Sequence, residues 1–309
     1  MSALSLFLEM LVIFILISIG FILYRTGKIA DGGMKTMSFL VVNFCNPAII
    51  LNAAMENEEP IAPALMGNAV LVTVLIYAIL IGISYLLPPL LRIPKKSRFA
   101  YQMLTVYGNV GYIGFPVCAA VLGQDALLYV SINCLVYNVL FYTYGEALLA
   151  RAAGIREGGR GIGGIINAGT VSSLLTLLLY LVKIPVPMVL SDTVGYLSDA
   201  CVFLSMLVLG CSIAQKPLKF LITGSKTMWV FLVLRMLVIP AAIVLVLKPF
   251  VHNELLLGTI AIMVSLPGGN LPLMVAEQDG LETSELSRGI VLTTIACIVT
   301  IPLIASLLL

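Results

Sequence analysis

The 309-residue chain is 61% hydrophobic and 10% charged, with a mean hydropathy of +1.11. Soluble globular domains are about half apolar and about a quarter charged, so the solvent of this chain is the bilayer. Its net charge of +2, from 17 Lys+Arg against 15 Asp+Glu, marks out no polyanion-binding surface, and no nucleic-acid partner is expected.

A helix needs about 20 mostly apolar residues to cross a membrane. Splitting the sequence at its charge and Gly/Pro clusters predicts ten spans: 4–24, 36–54, 62–91, 98–121, 125–149, 165–183, 192–214, 226–247, 255–276 and 284–308. The first run lacks a basic n-region and a small-residue cleavage site, so it reads as a retained span. Glu9 lies near its outer end. The second span carries Asn43, and the third closes at Pro88-Pro89.

The fourth span is broken in its middle, at Tyr107-Gly108-Asn109-Val110-Gly111-Tyr112-Ile113-Gly114-Phe115-Pro116. The fifth holds Asn133, Tyr137 and Asn138, with Glu146 near its end. A Gly-rich basic linker, 151–164, then divides a first repeat, 1–150, from a second, 165–309. In the second repeat Asp199 lies inside the seventh span. Arg235 lies about nine residues into the eighth, or roughly 13 Å at 1.5 Å per residue, which is near the midplane. The ninth span is broken like the fourth, at Ser265-Leu266-Pro267-Gly268-Gly269-Asn270-Leu271-Pro272, and Glu277 follows. His252, the one histidine, falls in a loop, which leaves little for histidine chemistry.

Alternate loops sort the basic residues sharply. One side holds fourteen of them; the other holds only Lys183 and Lys248. The positive-inside rule therefore predicts an even number of spans with both termini outside the cytoplasm, in the plasma membrane (the inner membrane of a bacterium). Five spans per half is an odd number, so the halves enter from opposite sides. The predicted fold is all-α: two inverted five-helix repeats whose broken fourth and ninth spans cross.

Interrupting a membrane helix frees backbone N–H and C=O groups at depth, which is tolerable only against protein or a cavity. Matched interrupted helices in two halves point to a secondary transporter's binding site. Half-helix N-termini favour an anion, glycines allow close approach, and each asparagine amide both donates and accepts. The candidate substrate-binding set is Asn109, Gly111, Tyr112, Gly114, Asn138, Gly268, Gly269, Asn270 and Arg235. Pro116, Pro267 and Pro272 form the crossover, and Asn43, Asn133, Asp199 and Glu277 are candidates for coupling or cavity lining. Each has a plainer reading: kinks for packing, amides as glue between helices, and Arg235 as a structural partner for an intramembrane acid or for carbonyls. The six cysteines, all in apolar stretches, have no metal-ligand spacing, and neither metal nor cofactor is expected.

These motifs, in this order, resemble the auxin efflux carrier family, which includes plant PIN-type auxin carriers and bacterial organic-acid permeases. Asn109 to Gly114-Phe115-Pro116, Arg235-x4-Pro240 and Leu266-Pro267-Gly268-Gly269-Asn270-Leu271-Pro272 carry the resemblance, with Phe44-x2-Pro47, Asn133, Tyr137 and Glu146 in support. The short middle linker suits a bacterial-type member. The resemblance implies a homodimer with a scaffold of spans one, two, six and seven. It also implies an elevator-like transport domain of spans three to five and eight to ten, and a small organic anion as substrate (malate, malonate or an auxin-like acid). Two rival readings stay open: a sodium-coupled symporter of bile-acid-symporter type, and a carboxylate receptor that does not transport. An intramembrane enzyme is not expected, because the sequence shows no paired intramembrane acids, no His-Glu-x-x-His and no Gly-x-Ser-x-Gly.

Overall fold

The computed structural model describes residues 3–55, 63–154, 168–182, 185–215, 225–278 and 281–308, with positions 217, 219 and 223 besides. Among these residues the chain is helical throughout and contains no strand. The first part of the chain forms α1 (Ala3–Arg25), α2 (Asp31–Leu40), α3 (Asn46–Met55), α4 (Pro63–Leu90), α5 (Arg98–Val106), α6 (Phe115–Leu122), α7 (Leu127–Leu140) and α8 (Glu146–Ala152). The rest forms α9 (Ala168–Val182), α10 (Met188–Ala214), α11 (Lys226–Val233), α12 (Ile239–Leu247), α13 (Glu254–Ser265), α14 (Asn270–Gln278) and α15 (Ser284–Leu308). Linker residues 155–164 lie outside the described residues.

Among the described residues six helical stretches are long and apolar enough to cross a bilayer: Asp31–Asn52, Leu65–Leu90, Gln124–Ala152, Met188–Ala214, Lys226–Leu247 and Ser284–Ile304. Shorter apolar helices occupy Leu11–Arg25, Thr170–Leu179 and Glu254–Ser265. The protein is therefore a multi-pass membrane protein of helical type. Its outward faces suit lipid: Leu71, Leu86 and Leu90 are among its most exposed side chains.

Four widened π turns interrupt the helices, at Val41–Cys45, Val110–Gly114, Phe141–Gly145 and Leu234–Val238. Three of them stand just ahead of a proline, in Asn46-Pro47, Phe115-Pro116 and Ile239-Pro240. A proline ring crowds the carbonyl four residues back and donates no hydrogen bond. The crowded carbonyls here, those of Asn43, Tyr112 and Met236, each fall inside a π turn, where the wider winding makes room. The ladder there runs one residue longer: Asn46 N donates to Val41 O, and Ile239 N to Leu234 O.

The helices form two compact units. One comprises Met1–Leu71, Val110–Leu135 and Ile166–Lys216; the other comprises Val72–Asn109, Val136–Ile165 and Pro217–Leu309. In the first, α1 packs along α10 at Gly20 and Gly210. A Cβ on Gly210 would meet Ile17 O and, at 2.7 Å, Phe21 N; a Cβ on Gly20 would meet Leu207 O. The obstacles are backbone atoms, so this contact admits no side chain at either position. Cys211 Sγ closes it with a bond to Gly20 O, and Thr176 Oγ1 ties α9 to α3 through Ile50 O. In the second unit, α5, α12 and α13 pack with α15, and Leu104 sits where a side chain on Gly289 would be.

Candidate functional site

The second unit contains the second break and the opening of the first, Tyr107–Asn109, and it brings the two together. α13 stops at Ser265 because Pro267 disfavours helical geometry for the residue before it, and Leu266 is extended at ψ 145. α5 stops at Val106, and Tyr107 is extended at ψ 94. The freed backbone groups then satisfy each other. Asn109 N donates to Pro267 O at 2.8 Å, and Gly269 N donates to Tyr107 O at 2.9 Å, which sets Gly108 opposite Gly268 in an isolated antiparallel bridge. Space explains the glycines. A Cβ on Gly269 would lie 2.9 Å from Gly108 O, and one on Gly268 would lie 2.6 Å from Leu104 Cδ2.

Arg235 lies under this bridge, 1% exposed. Its Nε donates to Leu104 O at 2.9 Å and its Nη1 to Val264 O at 2.7 Å. Each carbonyl belongs to the residue four before its bridge glycine, so each is the acceptor left open where its helix ends. The guanidinium thus caps two helix C-termini at once and sets its charge against the negative ends of both dipoles. The π turn Leu234–Val238, in which Arg235 and Met236 are buried, carries it there. A second anchor is Thr293 of α15, whose Oγ1 accepts from Gly268 N at 3.0 Å and donates to Gly289 O at 2.7 Å.

Asn109 and Asn270 are 4% and 7% exposed. Asn270 is the first residue of α14, and its Oδ1 is buried with no hydrogen-bond partner among the described residues. Pro272 sits in the first turn of α14, where a missing N–H costs nothing. An aromatic cluster stands beside the break: Tyr107 is edge-on to Tyr137 at 5.3 Å and to Phe141 at 5.1 Å. Tyr137 Oη lies 3.3 Å from where a Cβ on Gly269 would be. Gly145 leaves room for Tyr107 Oη, which donates to Leu140 O at 3.0 Å. Asn138 is buried in α7.

The other candidates, Glu277 apart, belong to the first unit. Gly111 and Gly114 lie in the π turn that follows Asn109, and a Cβ on Gly111 would lie 2.8 Å from Asn46 Oδ1. That oxygen too is buried without a hydrogen-bond partner among the described residues. Sequence reasoning passed over Asn46 and Thr293, although an amide just before the second-span proline was a signal for the first. Asn133 is buried in α7. Asn43 is exposed and donates to Phe39 O on its own helix, and Asp199 is exposed on α10. The side chains of Tyr112, Pro116 and Glu277 lie outside the described residues; their backbones belong to the π turn, to α6 and to α14. Among the described residues no cluster of His, Cys, Asp or Glu could hold a metal.

A helical multi-pass membrane protein whose two interrupted helices meet through paired backbone over a buried arginine has the architecture of a carrier. The sequence profile of the membrane transport protein family matches residues 5–157 and 161–305. The chain belongs to that family, the auxin efflux carriers, and is a membrane transporter, not an enzyme. It is 22% identical over 303 residues to an uncharacterized transporter of Methanothermobacter thermautotrophicus, covering 94% of each chain. It is 23% identical over 303 residues to another from Methanocaldococcus jannaschii, covering 95% of this chain and 96% of that one. A Rhizobium meliloti protein named "Putative malonate transporter" is 20% identical over 292 residues, covering 91% and 90%.

Proposed function

We propose that the protein is a secondary active transporter of small organic anions, binding a carboxylate at the paired helix breaks. The carrying observation is the Asn270 amide: it is buried at the N-terminus of a half-helix with an oxygen that no group among the described residues satisfies. Such an atom is costly unless something else pairs with it. The amide can turn to offer NH2 or oxygen, and the first N–H groups of α14 add donors and the positive end of the helix dipole. Gly268, Gly269 and Asn109 complete the contact set, with Asn138 and Tyr137 beside them, and Arg235 positions the breaks. The Rhizobium relative's name makes malonate the first ligand to try.

Ten spans in inverted halves remain our reading of the topology, with both termini outside the cytoplasm of the plasma membrane. The like placement of Leu104 and Val264 under one guanidinium supports it. Transport would proceed by an elevator-type shift of spans three to five and eight to ten against a scaffold of spans one, two, six and seven. A homodimer is supported by Asp199, exposed near the middle of the α10 span beside Tyr196 and Phe203. A charge facing lipid there costs about 2.5–3.5 kcal/mol, so a second copy covering that face is favoured. Mass measurement in mild detergent checks it, and a monomer would remove the dimer from this reading.

The function test is flux into proteoliposomes. Saturable uptake of radiolabelled malonate, competed by malate or an indole acid and indifferent to replacing sodium with choline, is expected. Strict sodium dependence would favour the bile-acid-symporter reading. Ligand-induced thermal stabilisation without flux would favour a receptor.

A further inference from the structure

We propose that the basic turn from Arg92 to Arg98 is a docking site for the phosphate headgroup of an anionic phospholipid. The inference rests on the membrane setting alone and not on the substrate. α4 ends in a closed turn in which Ile93 N donates to Pro88 O at 2.8 Å and Arg92 N donates to Pro89 O at 3.1 Å. This pattern puts the residue just past the helix into the left-handed region, where glycine is the ordinary occupant. Arg92 holds it, at φ 55, and is the one non-glycine residue with positive φ among those described; Gly27, Gly123 and Gly154 fill such places elsewhere. A side chain kept where the backbone favours glycine points to a use for that side chain.

Its surroundings say which use. Lys95 and Lys96 are exposed with Arg92, and Arg98 is half-buried with its Nε on Ile93 O. No Asp or Glu occurs in the sequence between Glu59 and Asp125, so nothing nearby in the chain offsets these four cations. Ile93, 3% exposed, pins the turn to the protein. One helical turn apart on α4, Leu86 and Leu90 are 68% and 73% exposed. Bare leucines running up to a fixed cluster of cations match a phospholipid, with acyl chains along the leucines and the phosphate at the turn. The fork of Arg92 suits phosphate better than a point charge does.

The experiment measures thermal unfolding of the purified full chain in detergent with added phosphatidylglycerol, phosphatidylcholine or inorganic phosphate. We expect the melting temperature to rise with phosphatidylglycerol and to stay put with the other two. Arg92→Gly, which relieves the strained backbone, should melt no lower than the parent in phosphatidylcholine and lose at least half of the phosphatidylglycerol response. The pair Lys95→Gln and Lys96→Gln, both exposed, should weaken that response without a loss of basal stability. Equal shifts with the two lipids, an equal shift from phosphate alone, or a full response in Arg92→Gly would each overturn the proposal.

Discussion

Exchanging Arg235 for methionine is expected to unfasten both interrupted helices at once, lowering stability by about 2–4 kcal/mol and abolishing flux. A hydrogen bond to a charged group contributes about 1.5–3 kcal/mol, and two are lost together, those to the Leu104 and Val264 carbonyls. The gain from no longer burying a charge offsets part of that. Methionine fills much of the volume, so the loss reports the bonds more than a cavity. Arg235→Lys keeps the charge but replaces the planar fork that serves both carbonyls with a compact ammonium, so an intermediate loss is expected. Thermal melts in detergent and flux in proteoliposomes, run on the same preparations, separate the two roles the sequence left open. A guanidinium that caps helices lowers melting temperature and flux together. If Arg235→Met raised the KM and left the melting temperature unchanged, the arginine would be a ligand contact and the capping argument would fail.

That ambiguity shows where a sequence stops being informative. Both breaks were legible, because Gly and Pro clusters inside apolar runs have a local physical meaning. Arg235 was legible as anomalous, since a buried charge in a span always asks for a partner. Its partners were not, because Leu104 lies 131 residues away and a backbone carbonyl leaves no mark in the sequence. Thr293 escaped for the same reason: a threonine bonded to its own helix reads like any other until Gly268 N is found against it.

The register of the pairing was hidden as well. Pro116 and Pro272 drew attention to the breaks, yet the bridge aligns Gly108 with Gly268, and that alignment does not set the two prolines opposite each other. Proline marks where a helix is hard to continue; the hydrogen bonds decide which residues meet. Three of the four π turns follow from the prolines beyond them, whereas Phe141–Gly145 has no such flag and is tied to Tyr107 reaching Leu140 O.

Asn270→Ala should produce the opposite pattern from Arg235→Met: flux lost with the fold intact. Among the described residues its Oδ1 has no protein hydrogen bond to lose, so truncation should leave the melting temperature close to the parent's. The bond it would make to a carboxylate is charge-assisted, and about 1.5–3 kcal/mol corresponds to a fall of roughly 10- to 100-fold in kcat/KM for transport. Asn109→Ala should also lose flux, while the backbone bond from Asn109 N to Pro267 O is untouched by the substitution. Asn270→Asp sharpens the test. It keeps size and acceptors but replaces the amide donor with a negative charge at the helix N-terminus, where the charge is stabilised by the dipole and repels an anionic ligand. The aspartate variant should therefore melt at or above the parent and transport less than the alanine variant. Ligand-induced thermal shifts should vanish in both. Parent-like flux in Asn270→Ala would remove the residue from the site, and a melting temperature that fell along with flux would make it a structural amide. An aspartate variant that outperformed alanine would mean that the unpaired oxygen serves a donor or a cation, and would move the substrate class away from anions.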